Sequence, residues 1–546
     1  AWNSIFSCVS RSTIYISHFT IHDFCNTMLS IPRITFLYIC VTLFALVFAG
    51  KLFFLQIVRG DYYTEKASGQ YISPIANIFD RGNIFFAGGI LSGATLKSGY
   101  TVAINPSLLK NAPLTLEKLK IIIPDIDSDA FFLQAGKVLD PYEEIASRIP
   151  EADAKKIQAL DIPGVLIHKE RWRSYPGGTL AAQMIGFVGY EGNMLTGRYG
   201  LERYYEDVLR RSEGEQINLF AQAFANISNS LFYDKRYVGA GDLILTIDAE
   251  VQGFLEGTLS SVVEKWGAAS GGAIVIDPKT GALYALAARP TFDPNAFSDE
   301  KDYTVFSNPL VESVFEMGST VKPLTLAAGL DAGVIKTSDT YYDDGFVVLN
   351  NARIENFDGK ARGRVPLQEI LNQSLNTGAV HVARRLGNKL FSEYFFAYGF
   401  GERTGIDLPN EAQSLVKNLR NNRDVEIATA SFGQGIAVTP IAMVRALSAL
   451  ANGGTLVTPY VVEKIDLEDG PRADVRNPDP NPRRVLSPEA SDEITRMLVT
   501  VVDDALLGGT VKLPHYSVAA KTGTAQIASP SGEYYDDRFL HSFFGY

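Results

Sequence analysis

Three short polar strings, far apart in the sequence, constrain the fold of this chain more than any other feature. They are Ser319-Thr-Val-Lys322, Ser374-Leu-Asn376 and Lys521-Thr-Gly-Thr524. At ordinary residue frequencies S-x-x-K occurs about twice by chance in a chain of this length, so one string alone is not specific. S-L-N, however, occurs only once, 374 − 319 = 55 residues after Ser319. The ordered set therefore predicts a fold that gathers all three strings at one site.

Second copies of two strings exist, and neither fits the ordered set. Ser414-Leu-Val-Lys417 has no S-x-N string after it. Lys279-Thr-Gly281 lies in a D-P-K-T-G stretch between two apolar runs, ahead of any candidate serine, which is typical of a hairpin turn. We therefore expect the K-T-G copy to be a structural turn, and Ser319 rather than Ser414 to be the serine of the ordered set.

The first string has the composition of an activated nucleophile. A serine hydroxyl is a weak nucleophile until a base takes its proton. Residues three apart face the same side of a helix, so Lys322 can reach the Ser319 oxygen from one turn away. Burial, a second cation such as Lys521 and a helix N-terminus would each lower the pKa of Lys322 towards neutrality. We expect Ser319 to be the nucleophile and Lys322 its base; the alternative is a helix N-cap serine beside an exposed lysine.

The other two strings supply groups that suit a peptide substrate. We expect Ser374 to relay a proton between Lys322 and the leaving amine, and the Asn376 amide to hold a peptide carbonyl. The strand that contains Lys521 offers main-chain groups to an extended peptide, and its charge and hydroxyls suit a terminal carboxylate. The main-chain N–H groups of Ser319 and Thr524 are the expected oxyanion donors, each contributing about 3–4 kcal/mol. The expected substrate-binding residues of the third string are Thr522, Gly523 and Thr524.

Composition excludes several other classes of function. Lys+Arg 50 against Asp+Glu 61 leaves 50 − 61 = −11 charges, which argues against a nucleic-acid partner. The cysteines Cys8, Cys25 and Cys40 all precede the body of the chain, so a disulfide scaffold or a cysteine zinc site is not expected there. The later histidines lack metal-ligand spacing, and no metal site is predicted.

A long apolar segment near the amino end predicts a membrane anchor. Ile34–Gly50 carries no charge, and the apolar tract continues past Lys51 to Val58. The uncharged run alone spans about 25 Å as a helix, so a tilted span over residues 34–58 is long enough. A buried core helix and a cleaved signal peptide are the alternatives, but no small-residue cleavage site follows. Residues 1–33 form an N-terminal segment, and we expect 1–27 not to be native because the first methionine is Met28.

The remaining sequence divides into two regions. Residues 59–240 mix short strand-like and helical stretches with polar connectors and hold no recognisable chemical site, which favours a spacer or docking domain, here called the pedestal. In residues 241–546, strand patterns precede and follow a helical block that runs from about Ser319 to Leu450. This order favours an α+β fold, with an antiparallel sheet and a helical subdomain, over an alternating α/β fold.

Further strings accompany the ordered set and are similar to those of one family. They are LFFLQIVRGDYY after the anchor, DRGNIFF (80–86), GRYGLE (197–202), GFGERTGIDLPNE (399–411) and SFGQGIAVTPIAMVRALSALANGG (431–454). With the S-x-x-K, S-x-N and K-T-G strings, they resemble the class B penicillin-binding proteins, which are monofunctional peptidoglycan transpeptidases. The resemblance covers the chain from about Met28 to its end.

The resemblance implies a single-pass protein of the bacterial cytoplasmic membrane with an extracytoplasmic pedestal and catalytic domain. Its serine would attack the penultimate D-Ala carbonyl of a D-Ala-D-Ala stem peptide, and an amine of a neighbouring strand would resolve the acyl-enzyme into a cross-link. β-Lactams would trap the same serine, with no cofactor or metal required. The implied protein partners are a polytopic glycan polymerase and other elongation or division proteins.

Three departures from the family pattern lead to further expectations. Met317 replaces a common proline before the nucleophile, and Ala520 replaces a glycine before K-T-G. Only 546 − 524 = 22 residues follow Thr524, whereas the family fold needs a further strand and helix to complete its sheet. We expect the chain to be a C-terminally truncated fragment. The alternative functions are a non-catalytic scaffold or β-lactam sensor, and a DD-carboxypeptidase or β-lactamase.

Overall fold

The computed structural model describes residues 41–48, 50–51, 79–192, 194–211, 239–421, 423–468, 473–474, 482–529 and 533–546. Within the predicted anchor, residues 41–48, 50 and 51 are helical, and its other positions lie outside the described residues, as do residues 1–33. No helix in these described ranges combines the length and hydropathy that a membrane crossing requires.

The strands fall mainly at the two ends of the described chain. In chain order they are β1 (Ile84–Phe85), β2 (Ser92–Ile104), β3 (Glu143–Ile149), β4 (Val165–Ser174), β5 (Val188–Glu191), β6 (Met194–Gly197), β7 (Gly241–Leu245), β8 (Gly271–Ile276), β9 (Leu283–Arg289), β10 (Thr340–Asp343), β11 (Phe346–Leu349), β12 (Ala352–Glu355), β13 (Gly363–Pro366), β14 (Val462–Leu467), β15 (Ala473–Asp474), β16 (Ala520–Ala528) and β17 (Tyr534–Gly545).

Of the fifteen α-helices described from residue 79 onward, eight lie after residue 300; the predicted helical block from about Ser319 to Leu450 is mainly helical but also contains the four short strands β10–β13. From residue 79 onward the α-helices are α1 (Ala112–Lys120), α2 (Ser128–Ala135), α3 (Glu151–Gln158), α4 (Ala182–Ile185), α5 (Gly200–Tyr204), α6 (Glu206–Leu209), α7 (Ala249–Trp266), α8 (Pro309–Glu312), α9 (Lys322–Asp331), α10 (Gln368–Asn372), α11 (Asn376–Leu386), α12 (Asn388–Ala397), α13 (Asp424–Ala430), α14 (Pro440–Ala451) and α15 (Pro488–Thr500).

One seven-stranded sheet crosses the predicted boundary between pedestal and catalytic region. Its order is β15-β14-β7-β1-β2-β3, with β4 paired to β2. The long strand β2 runs antiparallel to β4 from Thr95↔Ser174 to Ile104↔Val165, whereas β1 and β7 are parallel. Strands from before and after residue 240 therefore share backbone hydrogen bonds, and the sheet joins the two regions directly.

A buried ion network lies inside the pedestal and unites two of the strings that the sequence singles out. The Glu202 carboxylate, with no exposed area, accepts from Nε of Arg81 at 2.5 Å and from Nε of Arg173 at 2.6 Å. Arg81 also contacts Glu206 at 2.7 Å. Arg81 belongs to the string 80–86 and Glu202 to the string 197–202, so the two strings meet at one buried charge cluster.

We expect Glu202→Gln to destabilise the protein strongly. The change removes the carboxylate that two buried guanidinium groups share, so that Arg81 keeps only the Glu206 carboxylate and Arg173 loses the carboxylate that it contacts. This loss costs about 3–5 kcal/mol in the free energy of unfolding. Glu191→Gln is the matched control, because Glu191 pairs with Arg198 at an exposed position and exposed pairs contribute only about 0–1 kcal/mol. Thermal and denaturant unfolding of both variants provide the measurement. Equal destabilisation by the two changes would contradict the assignment of this network as structural.

The largest buried apolar cluster surrounds α9. This helix reads KPLTLAAGLD, and its residues 322–329 are all buried, including Lys322 and Thr325. A helix whose faces are all buried belongs in a protein interior. The cluster includes Leu324 and Leu326 of α9, Val382 of α11 and Leu498 of α15. The helix that begins at Lys322 is therefore packed against side chains of several other helices.

The antiparallel strands that flank the helical block form two separate hairpins rather than one sheet. β8 pairs with β9 from Gly271↔Arg289 onward, and β16 pairs with β17 from Ala520↔Gly545 to Ala528↔Tyr534. The α+β prediction is confirmed, but the prediction of one continuous antiparallel sheet differs from what is observed. Strands join a sheet only through backbone hydrogen bonds, and among the described residues no strand bridges the two hairpins.

Candidate active site

The nucleophile string begins a helix, as predicted. Ser319 lies in a single 3-10 turn, Gly318–Val321, which continues directly into α9 at Lys322. Pro323 occupies the first turn of α9, where a missing N–H breaks no helical hydrogen bond. Gly318 has φ +60°, a left-handed conformation that glycine adopts readily, and its N–H donates to the Gly433 carbonyl at 3.1 Å. The half-buried Ser319 thus sits one turn before Lys322.

Lys322 connects the first string to the second. Its side chain is fully buried, and its Nζ donates to the Ser374 carbonyl at 2.5 Å and to the Ser374 Oγ at 3.2 Å. No carboxylate pairs with Lys322 among the described residues. A buried ammonium without a counter-ion is costly, so the surroundings favour the neutral amine.

Both lysines of the site have depressed pKa values. Burial, and then the charge of Lys521, hold the pKa of Lys322 well below that of an ordinary lysine. Burial lowers the pKa of Lys521 to about 8. Lys521 Nζ donates to the Thr522 carbonyl at 3.0 Å, so Lys521 keeps one polar contact in its buried position. The environment therefore makes Lys322 a base and leaves Lys521 as the cation at neutral pH.

The second string lies at the start of α11. Ser374 has φ +57°, a left-handed conformation that costs a non-glycine residue about 1–3 kcal/mol and persists only where the surroundings enforce it. Asn376 is the first residue of α11, and its Nδ2 donates to the Glu355 carbonyl at 2.8 Å. One amide hydrogen and the Oδ1 of Asn376 remain available to a substrate.

The third string lies on β16, directly against the nucleophile turn. A Cβ on Gly523 would lie 2.9 Å from the Met317 carbonyl oxygen, and a Cβ on Gly318 would lie 2.6 Å from the Thr524 carbonyl oxygen. These close approaches explain why glycine stands at both positions. Thr522 and Thr524 alternate with the buried Lys521 and Gly523 and are exposed. The structure thus brings all three predicted strings to one place.

Several supporting residues have no motif of their own and are missed by sequence reasoning. Ser542 of β17 donates to the Met317 carbonyl at 2.8 Å, beside the Thr320 hydroxyl, which donates to the same oxygen at 2.9 Å. The Glu316 carboxylate accepts from the Tyr534 hydroxyl at 2.9 Å and from the Gly435 N–H at 3.0 Å. These contacts brace the turn ahead of Ser319. Of these residues, only Thr320 and Gly435 lie in strings that the sequence singles out, Ser319–Lys322 and 431–454.

The second K-T-G copy is a turn, as the sequence predicts, and the second S-x-x-K copy combines a buried serine with an exposed lysine. Asp277 accepts from the Lys279 N–H at 2.9 Å in the turn between β8 and β9, and Gly281 has φ +84°. Ser414 is buried, whereas Lys417 is exposed at the start of a short 3-10 helix. Neither copy therefore has the arrangement of side chains that the catalytic site has.

Sequence comparison finds two family models that match the chain. Residues 271–546 match the model described as the penicillin binding protein transpeptidase domain, and residues 79–235 match the penicillin-binding protein dimerisation domain. Stage V sporulation protein D of Bacillus subtilis is 30% identical over 518 residues, which cover 94% of this chain and 79% of that protein. A peptidoglycan D,D-transpeptidase FtsI homolog of Mesostigma viride is 28% identical over 526 residues, covering 90% of this chain and 85% of that protein.

Structure comparison finds a similar fold in a crystallised protein. Penicillin Binding Protein 2X of Streptococcus thermophilus superposes with a TM-score of 0.69 at 21% sequence identity. The match covers 86% of this chain and 74% of that one. At this level of identity the likeness shows a shared fold.

Proposed function

This chain belongs to the class B penicillin-binding proteins and is a serine-type peptidoglycan D,D-transpeptidase, and on that premise we propose that Ser319 carries its acyl-enzyme. The observation that supports this assignment is the fully buried Lys322, which lies one turn after Ser319 and contacts Ser374. Its depressed pKa gives Ser319 a neutral amine as base.

In the proposed acylation, the Ser319 Oγ attacks the penultimate D-Ala carbonyl carbon while its proton moves to Lys322 Nζ. The carbonyl oxygen becomes an oxyanion that the main-chain N–H groups of Ser319 and Thr524 stabilise. When the intermediate collapses, the C–N bond breaks, and the departing D-Ala amine takes the proton through the Ser374 hydroxyl. The 3.2 Å contact between Lys322 and Ser374 supports this relay.

The second half of the reaction reverses these proton transfers. An amine from a neighbouring stem peptide attacks the ester carbonyl and gives its proton to Lys322, directly or through Ser374. The new peptide bond forms as the C–O bond to Ser319 breaks, and the Ser319 oxygen recovers a proton. One cross-link and one free D-Ala result from each cycle.

The third string and Asn376 position the donor peptide. Asn376 holds a peptide carbonyl with its remaining amide hydrogen, and the exposed edge residues of β16 pair with the extended substrate backbone. The hydroxyls of Thr522 and Thr524 and the charge of Lys521 hold the terminal carboxylate. A β-lactam presents an equivalent carbonyl and carboxylate, so in this proposal the β-lactams that the family binds occupy the same site.

We propose the domain organisation and location that the sequence predicts. Residues 34–58 would anchor the chain in the bacterial cytoplasmic membrane, residues 59–240 would form the pedestal, and residues 241–546 would act outside the cytoplasm. A polytopic glycan polymerase and other elongation or division proteins would be its partners. Cell fractionation of the full-length protein, followed by carbonate extraction, tests the anchor; release of the protein by carbonate would contradict it.

We expect the second-order rate constant of acylation by penicillin to follow a bell-shaped pH profile. The rate rises with pH as Lys322 loses its proton and becomes a base, at a pH below that of an ordinary lysine. The rate falls above about pH 8 because Lys521 then loses the charge that holds the penicillin carboxylate. Stopped-flow acylation across this range measures both limbs.

Lys521→Arg is the control that identifies the falling limb. Arginine stays charged throughout this range, so the variant should keep its rate above pH 8 even if its absolute rate is lower. A falling limb that stays near pH 8 in Lys521→Arg would contradict the role of Lys521. A rate that falls steadily as pH rises from acid to neutral would contradict the role of Lys322.

A further inference from the structure

A buried carboxyl group lies next to the S-x-N string. Asp343, the last residue of β10, has no exposed area. Its Oδ1 accepts from the Thr377 hydroxyl at 2.7 Å, from Asn356 Nδ2 at 3.0 Å and from the Gly345 N–H at 2.9 Å. Among the described residues no Lys or Arg forms an ion pair with it. The hydrogen bonds to this carboxylate come from neutral donors, so losing one of them is costly.

The same donors hold the first turn of α11. Thr377 follows Asn376, and Asn356 Oδ1 accepts from the Thr377 N–H at 3.2 Å and from its hydroxyl at 3.1 Å. The N–H groups of a first helical turn have no partner within the helix, so an outside acceptor fixes the start of the helix. One residue earlier, the Glu355 carbonyl accepts from Asn376 Nδ2 at 2.8 Å. Residues 355 and 356 therefore accept hydrogen bonds from two successive residues of α11.

These hydrogen bonds lie close to Ser374, the residue of the site with a strained backbone. Ser374 keeps its left-handed backbone two residues before Asn376, and its carbonyl and hydroxyl both contact Lys322. A strained backbone persists only where neighbouring contacts over-determine it. If the start of α11 shifted, the Ser374 hydroxyl and the Asn376 amide would shift with it.

We infer that Asp343, acting through Asn356 and Thr377, is a positioning residue for acylation. By fixing the first turn of α11, it holds the Ser374 hydroxyl on Lys322 and the Asn376 amide towards the substrate. The inference rests on the proposed roles of Ser374 and Asn376, and it assigns no direct contact with substrate to Asp343.

The test is a pair of substitutions at Thr377 that differ in one hydroxyl. Thr377→Val keeps the side-chain shape and removes the donor to Asp343, and we expect it to slow acylation by penicillin about tenfold. Thr377→Ser keeps the donor and should stay within about twofold of the parent. Ser392→Ala is a matched control, because the Ser392 hydroxyl is buried and donates to the Leu419 carbonyl at 2.7 Å. It should lower the melting temperature without slowing acylation.

A double-substitution cycle separates positioning from general destabilisation. Asp343→Asn alone should slow acylation, and adding Thr377→Val should slow it by no more than about a further twofold, because both act through one contact. Full multiplication of the two effects, or equal acylation by Thr377→Val and Thr377→Ser, would overturn the inference. If Asn376→Ala and Ser374→Ala acylate normally, the proposed roles of those residues fail. If those two are slow while Thr377→Val is not, the positioning inference alone fails.

Discussion

Ser319→Ala should abolish covalent labelling by a fluorescent penicillin. The labelling is an acylation of one hydroxyl, and alanine has no atom that could form the ester. Ser319 is half-buried on the surface of a turn, so its loss removes little packing and the variant should fold. The measurement is in-gel fluorescence of the labelled protein, with the melting temperature recorded beside it. The expected result is no detectable adduct on a folded protein.

Ser414→Ala is the matched control for this loss. Ser414 begins the second S-x-x-K string, but its side chain is buried and its partner by sequence, Lys417, is exposed. Labelling should therefore survive in Ser414→Ala. Labelling that is lost in Ser414→Ala and retained in Ser319→Ala would contradict the assignment of the nucleophile. A label that stays attached for hours would agree with a transpeptidase, whereas rapid release would indicate a β-lactamase.

Lys322→Ala should slow acylation by about 10²-fold or more, because general base catalysis of this kind contributes that factor. The variant also removes a buried lysine that pairs with no carboxylate in the described part of the chain, so we expect its fold to persist. Stopped-flow acylation with penicillin measures the rate, and circular dichroism checks the fold.

The exposed Lys417 provides the comparison for Lys322. Lys417→Ala changes the same residue type three positions after a serine, yet it should acylate at the parent rate. A near-normal acylation rate in folded Lys322→Ala would exclude Lys322 as the base. Added small amines that restore part of the lost rate would strengthen the assignment, since they can fill the space left by the side chain.

Local sequence patterns predicted the elements that carry the site. Helix α9 after Ser319 and the strand that contains Lys521 are both confirmed, as is the turn at Lys279–Gly281 outside the site. These patterns work because helix periodicity, turn residues and apolar strands depend on neighbours within a few positions. The convergence of the three strings was also predicted, since their joint chemistry requires it.

Such local patterns do not predict contacts between segments that are distant in the sequence. The left-handed backbone of Ser374 and the hydrogen bond from Thr377 to Asp343 involve segments about thirty residues apart in sequence, and no local motif records such a contact. Likewise, the surroundings of helix α7 do not follow from its own residues: Phe254 is 77% exposed and Trp266 75% exposed. Periodicity identifies a helix and its apolar face, whereas what covers that face depends on other elements.

The most direct test of the central claim is to locate the penicillin adduct. The protein is acylated, digested and analysed by mass spectrometry to identify the modified residue. The account predicts a single adduct whose fragment ions place the added mass on Ser319. Lys322 should carry no added mass. An adduct on Ser374, Ser414 or any other hydroxyl, with Ser319 unmodified, would contradict the account.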